Sequence, residues 1–194
     1  MNVKAIAGHL DAVLKLLGFA RQKNTWNRKV ETYIDVLDIQ TSKSDDTITI
    51  NGGILHPNAY KACWGNKLPP FIQEPFCTVR ARLGHLIDGN DAWWSVSQNN
   101  LSDVLIRHIN VHMLPFFERM HSVKTMEEFL SKSEFKKGKY PPDIIYLAIL
   151  KRDNGKPTEA RRLLEELYKN TVGAWQPKVS QAIECLSNEP TGQP

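Results

Sequence analysis

Two arginines, Arg80 and Arg82, are the side chains whose type and spacing most directly suggest binding chemistry. Residues 76–83 alternate, with Thr78, Arg80 and Arg82 on one side and apolar side chains on the other, which is typical of a β-strand. Side chains two apart in a strand share a face, so the two guanidinium groups could bind a carboxylate or a phosphate through paired hydrogen bonds. They could equally form ion pairs with Asp or Glu on a solvated sheet face, and both alternatives stay open.

His108 and His112 lie four positions apart on a predicted helix, which is the spacing that two metal ligands on one helix face require. The position that would be Glu in the HExxH motif of metalloproteases is Ile109, and no third ligand is evident. Both histidines flank the apolar stripe of the helix, which favours packing histidines over a metal site. We therefore predict no metal ion.

Four aspartates could supply the paired carboxylates of an acid–base site, but none has a spacing that specifies a reaction. They are Asp35, Asp38, Asp88 and Asp91. The stretch from Asp88 to Asp91, with Gly and Asn between them, is typical of a turn. Short signatures of nucleotide binding and of nucleophilic catalysis do not occur. We expect no catalytic residues, no cofactor and no enzymatic activity, although an unusual enzyme would also lack short motifs.

The cysteines and the N-terminal stretch bear on the cellular compartment. Cys63, Cys77 and Cys185 are odd in number, widely spaced and without a CxxC pair, which argues against a disulfide scaffold or a zinc site and fits a reducing compartment. The first 19 residues predict an amphipathic helix and not a signal peptide, and no apolar run approaches 18 residues. We expect a cytoplasmic protein that is not associated with a membrane.

The charge is spread evenly along the chain. The net charge is +4, with 11 basic and 9 acidic groups in residues 1–97 and 14 and 12 in residues 98–194. Such a mild excess attracts polyanions weakly and provides no nucleic-acid-binding tail. Trp93 and Trp94 are adjacent, so in a strand one of them must face the core, which weakens the case for a base-stacking platform. We predict no nucleic-acid partner.

Hydrophobic periodicity predicts the elements that would position these residues. A helical stripe from Val3 to Leu17 ends at Gly18. Short connections between the strands that follow favour antiparallel pairing. The predicted strands are 26–30, 33–41, 47–50, 76–83 and 93–96. Residues 51–53 predict a bulge or a turn because two of them are glycine, and residues 84–91 predict a turn.

Beyond residue 100 the pattern is helical. One helix covers residues 101–113 and should be kinked or ended by Pro115, and Thr125–Glu128 has the pattern of a capping box. Further helices are predicted from Pro141, from Pro157 and from about Pro177. We predict an α+β fold, in which an antiparallel sheet of about five strands is covered by an N-terminal helix and a C-terminal helical portion. The predicted divisions are a sheet domain over 1–120, a helical extension over 121–187 with an αα-hairpin and a last helix, and a flexible tail over 188–194.

Two stretches could contact a partner protein. Residues 56–75 form a long connection, where functional contacts tend to lie, and its Trp64 and Phe71 could be aromatic anchors or could pin the connection to the core. Residues 144–168 resemble one tetratricopeptide-type helical hairpin. Such repeats stack in sets of at least three to form a groove, so a single hairpin more often covers a sheet edge.

Six short stretches, taken in their order, resemble bacterial "domain of unknown function 4304" proteins. They are Leu17–Phe19, Asn24–Arg28, Ile39–Lys43, Ile50–Ile54, Arg80–Gly84 and Trp93–Val96. The resemblance covers roughly residues 1–120, and the helical end is less diagnostic. The family brings no established catalytic residues to carry over. What it implies is that the chain is similar to immunity proteins, which are encoded beside secreted polymorphic toxins and neutralise them in the producing cell.

The leading hypothesis is therefore a non-enzymatic immunity protein whose partner is a cognate toxin. Its contact surface would be built from the 56–75 connection, with Trp64 and Phe71, and from the turn with Asp88 and Asp91. Because the chain is mildly basic, we do not expect a mimic of a polyanion, although an acidic loop could act locally. The alternatives are a domain, or an uncharacterised enzyme, that binds an anion on the Arg80/Arg82 face, and a helical-repeat-like adaptor.

Overall fold

A computed structural model describes residues 2–44, 46–65, 67–132 and 140–187. The chain divides into two compact units. The first unit combines Met1–Leu55 with Pro70–Arg119, and the second combines His56–Pro69 with Met120–Pro194. The predicted tail over 188–194 lies outside the described residues. Among those described, no helix is both long and apolar enough to cross a bilayer.

The first unit is built on an antiparallel sheet. Its strands are β1 (Ala20–Gln22), β2 (Thr25–Val30), β3 (Tyr33–Thr41), β4 (Thr47–Leu55), β5 (Val79–Arg82) and β6 (Trp94–Ser95). The strands β1 to β5 are neighbours in chain order, and β6 pairs with the beginning of β4. The helices of this unit are α1 (Val3–Leu16), α3 (Leu83–Asp88) and a long helix that comprises α4 (Leu101–His108), a π-helical turn (Ile109–Met113) and α5 (Leu114–Met120). The α+β prediction is confirmed.

One face of the sheet is covered by helices. Trp26 on β2 is fully buried, and its indole Nε1 donates a hydrogen bond to Asp11 Oδ1 of α1 at 2.8 Å. A Cβ atom on Gly52 would come within 2.2 Å of Met113 Sδ, so glycine is needed where the π-helical turn crosses β4. Leu37, which pairs with both Trp26 and Gly52, is also fully buried on this face. We call it the helix-covered face.

Several local predictions for the first unit were wrong. No bulge or turn interrupts β4 at residues 51–53, because its glycines make room for neighbouring side chains while the pairing with β3 continues to Leu55. The predicted turn over 84–91 begins instead with α3, which ends at Gly89 in the left-handed conformation. Pro115 was predicted to kink or end the helix, and of these alternatives the second is wrong: Pro115 lies in the first turn of α5, after Leu114 has donated to Ile109 O across the π-helical turn. The short edge strand β1 was not predicted.

The second unit is helical. It consists of α2 (Pro57–Trp64), α6 (Val123–Lys132), α7 (Pro141–Asp153), α8 (Pro157–Asn170) and α9 (Gln176–Ser187). The helices predicted from Pro141, Pro157 and about Pro177 are present. The predicted capping box at Thr125 is wrong, because α6 begins earlier, where Ser122 Oγ accepts a hydrogen bond from the Thr125 amide at 3.4 Å.

Candidate functional site

The sheet face opposite the helices carries a row of polar side chains. Antiparallel pairing aligns one residue from each of the strands β1 to β5. They are Gln22, Thr25, Asp38, Asn51 and Arg82. Directly paired residues of adjacent strands point to the same side of a sheet, so these five form one line across it. We call the line the polar row and this side of the sheet the polar face.

Side-chain hydrogen bonds hold the polar row in place. Thr25 Oγ1 donates to Asp38 Oδ1 at 2.7 Å. Arg82 Nε donates to Asn51 Oδ1 at 3.1 Å, and Asn51 Nδ2 donates to Gln40 Oε1 at 3.0 Å. Thr25 and Asn51 are buried, while Asp38 and Arg82 are partly exposed. These hydrogen bonds, one of which goes to Gln40 beside the row, restrict the side-chain conformations of the polar row.

Arg82 ends the polar row in a tight ion pair. Its Nη1 lies 2.7 and 2.8 Å from the two carboxylate oxygens of Asp91. The guanidinium carbon also lies 5.4 Å from the centroid of the Trp93 ring. Trp93 is itself exposed, and its Nε1 donates to Asp91 Oδ2 at 3.3 Å. The hydrogen bonds from Arg82, together with its charge, hold the pKa of Asp91 below its ordinary value.

Arg80, two residues earlier, is paired with a second carboxylate. Its Nε and Nη2 donate to the two oxygens of Glu74 at 2.8 and 2.9 Å. Glu74 is buried in a single 3₁₀ turn, and the same segment is fixed to the sheet where the Ile72 amide donates to Asn27 Oδ1 at 2.6 Å. The structure therefore gives both arginines carboxylate partners from their own chain, which is the ion-pair alternative stated above.

Asp38 differs from the other two carboxylates of this face. Among the described residues it receives one side-chain hydrogen bond, from Thr25, and has no Lys, Arg or His within ion-pair distance. Burial raises the pKa of Asp38 more than the Thr25 hydrogen bond lowers it, and the negative charge of Glu74 raises it further. Asp38 is thus a partly exposed carboxylate without a compensating cation.

The predicted aspartates do not form a paired carboxylate site. Asp35 lies on the helix-covered face, where Arg28 donates to its Oδ2 at 2.8 and 3.0 Å, because an odd spacing puts it opposite Asp38. Asp88 accepts a hydrogen bond from the Asn90 amide at 3.1 Å, which is the turn role expected for it.

Trp64 and Phe71, the two predicted anchors, belong to different units. Trp64 is partly buried at the end of α2, and its Nε1 donates to Tyr146 at 2.6 Å. It also packs edge-on against Trp175, and Lys178 Nζ lies 4.3 and 4.7 Å from the centroids of the two rings. Phe71 is partly exposed in the first unit. Neither unit therefore contains both of the predicted anchors.

His108 and His112 stack on each other at the π-helical turn. Their ring centroids are 5.7 Å apart, and Trp94 packs 6.5 Å from His108. Burial, together with the nearby His112, lowers the pKa of His108 and favours its neutral form. In the part of the chain that the structure describes, no group of three or more His, Cys, Asp or Glu residues could hold a metal ion.

The buried cysteines are held as thiols. Burial raises the pKa of Cys63 to about 12. Burial also raises the pKa of Cys77, which lies under Gly53 on the polar face, well above its ordinary value. A protonated thiol is a poor nucleophile, so neither side chain is prepared for covalent catalysis.

The second unit contains a charged cluster of another kind. Glu127 on α6 is buried, and its carboxylate accepts hydrogen bonds from Lys151 at 3.1 Å, from Lys156 at 2.8 and 3.0 Å, and from Asn154. Burial raises the pKa of Glu127, but these hydrogen bonds outweigh burial and leave the pKa below its ordinary value. Lys151 Nζ also donates a hydrogen bond to Glu159 Oε2 at 2.6 Å, so the cluster links α6, α7 and α8.

Most of the polar row was not identified from the sequence. Arg82 was singled out, and Asp38 was considered as a carboxylate, but Thr25 and Asn51 were not. Polar side chains two apart, such as Asp38 with Gln40 and Arg80 with Arg82, are the signal that could have indicated a polar sheet face.

Most of the first unit corresponds to a known family model. The model described as "Domain of unknown function (DUF4304)" matches residues 10–119, more than half of the chain. No curated protein and no solved structure matches the chain. The matched residues include the six strands found among the described residues and the whole polar row.

Proposed function

We propose that this chain, which belongs to the family described as Domain of unknown function (DUF4304), is a binding protein. In this proposal it neutralises a secreted bacterial toxin and catalyses no reaction. The polar face would be its contact surface. The bacterial cytoplasm, where an immunity protein meets its toxin, would be its location.

The observation that carries this proposal is the fixed geometry of the polar face. The row is cross-linked by hydrogen bonds, and Arg80 and Arg82 are each held by a carboxylate. A surface that is already ordered loses little side-chain entropy when a partner binds, which favours tight association. The exposed ring of Trp93 beside Arg82 supplies the aromatic and arginine pair that is enriched at binding hot spots.

The chemical state of the side chains also favours binding over catalysis. The thiols of Cys63 and Cys77 are protonated, and the guanidinium groups of the polar face are engaged by Glu74 and Asp91. An anionic ligand on the Arg80/Arg82 face would have to displace a carboxylate that already makes paired hydrogen bonds. For this reason we do not propose the anion-binding alternative.

The proposal is tested by co-expressing the chain with the product of the neighbouring gene. We expect a stable complex and rescue of the host cell from the toxicity of that product. Trp93→Ala should weaken the complex at least tenfold, since it removes the exposed aromatic ring beside Arg82. The matched control is Tyr168→Ala on α8, because the two rings are similarly exposed, at 37% and 40%. Absence of both a complex and rescue would refute the proposal.

A further inference from the structure

We propose that the polar face recognises its partner through a cationic side chain, an arginine or a lysine, that forms an ion pair with Asp38. This inference rests on the proposed function and specifies the chemistry of the partner. It concerns one position on the face, and it can be tested without the toxin.

Asp38 lies at the middle of the polar row and is partly exposed, although its two neighbours in the row are buried. It lies on β3, the middle of the five strands that the row crosses, between Thr25 and Asn51. Thr25 donates to Oδ1, and the described residues supply no hydrogen bond to Oδ2. Asp38 is partly exposed, and among the described residues no fully buried side-chain oxygen lacks a hydrogen-bond partner, so Oδ2 keeps some exposure and can accept a hydrogen bond from an incoming group.

The charges of the polar face leave Asp38 uncompensated. The face and the segments beside it contribute the carboxylates of Asp38, Glu74 and Asp91 and the guanidinium groups of Arg80 and Arg82. Each guanidinium is used by its own carboxylate, at 2.8 and 2.7 Å. The carboxylate of Asp38 is therefore left without a guanidinium partner, in a chain whose net charge is +4.

The other titratable groups of the face do not supply the missing cation. Lys29 lies on the same face but four residues beyond Thr25, about 13 Å along the strand at the usual rise. At that separation an exposed charge is largely screened at physiological ionic strength. His85 is exposed on α3 and acts on Asp91, whose pKa it helps to lower.

The energetics of covering this carboxylate select the partner. A neutral or acidic surface laid over Asp38 would remove its remaining water and give no charge in return, which is costly. A guanidinium or ammonium group would replace that water with an ion pair in a partly dry environment, where charge pairs discriminate strongly between partners. Arginine fits best, because its planar fork can bond Oδ2 and still lie beside the neighbouring amide side chains. Burial and the negative charge of Glu74 raise the pKa of Asp38, which is in keeping with a carboxylate that no nearby cation compensates.

The test uses the ¹⁵N-labelled full chain and two probes that differ only in charge. N-acetyl-arginine amide carries the guanidinium, and N-acetyl-citrulline amide has the same shape and no charge. We expect the arginine probe to cause saturable shifts at the Thr25 amide, the Asn51 side chain and the Trp93 indole, and to bind at least tenfold more tightly than citrulline. Asp38→Asn should abolish that difference. The control, Glu118→Gln, removes an exposed carboxylate on α5, which is on the other side of the sheet, and should keep it.

Equal binding of the two probes, or arginine binding that survives Asp38→Asn, would overturn the inference. An intact backbone spectrum of Asp38→Asn excludes unfolding as the cause of a loss. The outcomes also separate the two proposals. Toxin neutralisation without arginine binding would refute only the role of Asp38, and arginine binding without neutralisation would refute only the proposed function.

Discussion

Glu127 in the helical unit and Asp38 in the sheet unit are both carboxylates at least partly withdrawn from water, but they differ in the number and charge of the hydrogen-bond donors around them. Glu127 is buried and receives hydrogen bonds from two lysines and an asparagine. Asp38 is less deeply buried and receives one from Thr25. The pKa of Glu127 lies below its ordinary value, because hydrogen bonds outweigh burial, and the pKa of Asp38 lies above its ordinary value, because burial prevails.

The difference separates a structural charge from a charge that is available to a partner. A buried carboxylate with all its partners stabilises the folded chain relative to a variant in which one partner is missing. A carboxylate without a cation costs folding free energy, and such a cost is typical of positions kept for function. Substitutions at the two sites should therefore change stability in opposite directions.

The largest effect is expected for Glu127→Gln. It leaves Lys151 and Lys156 without their shared buried partner, so the free energy of unfolding should fall by about 3 kcal/mol. Urea denaturation followed by circular dichroism measures it, with Glu128→Gln, the exposed neighbour on α6, as a control that should change little. Equal stability of the two variants would show that the cluster is not structural.

The loss for Glu127→Gln should also depend on pH in a defined direction. Because the folded-state pKa of Glu127 is lowered, the carboxylate stabilises the fold at neutral pH, and this contribution is lost as the pH falls through the folded-state value. The difference between wild type and Glu127→Gln should therefore shrink toward acid pH.

Gly53→Ala tests whether the segment with Glu74 is packed closely on the polar face. The added Cβ would come within 2.5 Å of Cys77 Cβ and 3.1 Å of Val79 O, which cannot both move away cheaply. We expect the free energy of unfolding to fall by about 2 kcal/mol. Gly8→Ala on α1 is the control, because the added Cβ would meet nothing within 4 Å. Alanine has a higher helix propensity than glycine, so this variant should be slightly more stable.

Thr25→Val removes the hydrogen bond that Asp38 receives. We expect a loss of about 1 kcal/mol in the free energy of unfolding and a further rise in the pKa of Asp38, because the carboxylate would then have no donor in the row. Thermal unfolding at pH 7 and at pH 4 measures the effect. Unchanged stability at both pH values would indicate that water already satisfies Asp38.

The smallest effect among the substitutions on the polar face is expected for Asp38→Asn, and it should be a gain. Because the folded-state pKa of Asp38 is raised, the ionised form disfavours folding at neutral pH, so the variant should be as stable as wild type or more stable by at most about 1 kcal/mol. The gain should disappear as the pH falls through the folded-state pKa, where Asp38 becomes protonated. A clear loss of stability at pH 7 would contradict the comparison with Glu127.

Periodicity predicted the fold well, because it depends on local pattern. The alternation of residues 47–50 in β4 and the apolar stripes of α1 and α8 follow from spacings of two and of three to four residues. The family resemblance was also visible in short stretches, and the family is confirmed.

The polar row and the Glu127 cluster could not be predicted in the same way. Thr25, Asp38 and Asn51 meet only through the register of three strands, which no local pattern specifies. Glu127 was interpreted from the local pattern as part of a capping box. Its lysine partners lie 24 and 29 residues further along the chain, so no local pattern indicates them. The glycines at 52 and 53 predicted an interruption of β4, and their role in close packing depends on distant side chains.

The most direct test of the contrast between the two carboxylates is a ¹³C NMR pH titration of the side-chain carboxyl groups of the full chain. It should show Asp38 titrating above the ordinary value for an aspartate and Glu127 titrating below the ordinary value for a glutamate. If Asp38 titrated at or below its ordinary value, it would already be compensated, and the basis for a cationic partner at the polar face would be gone.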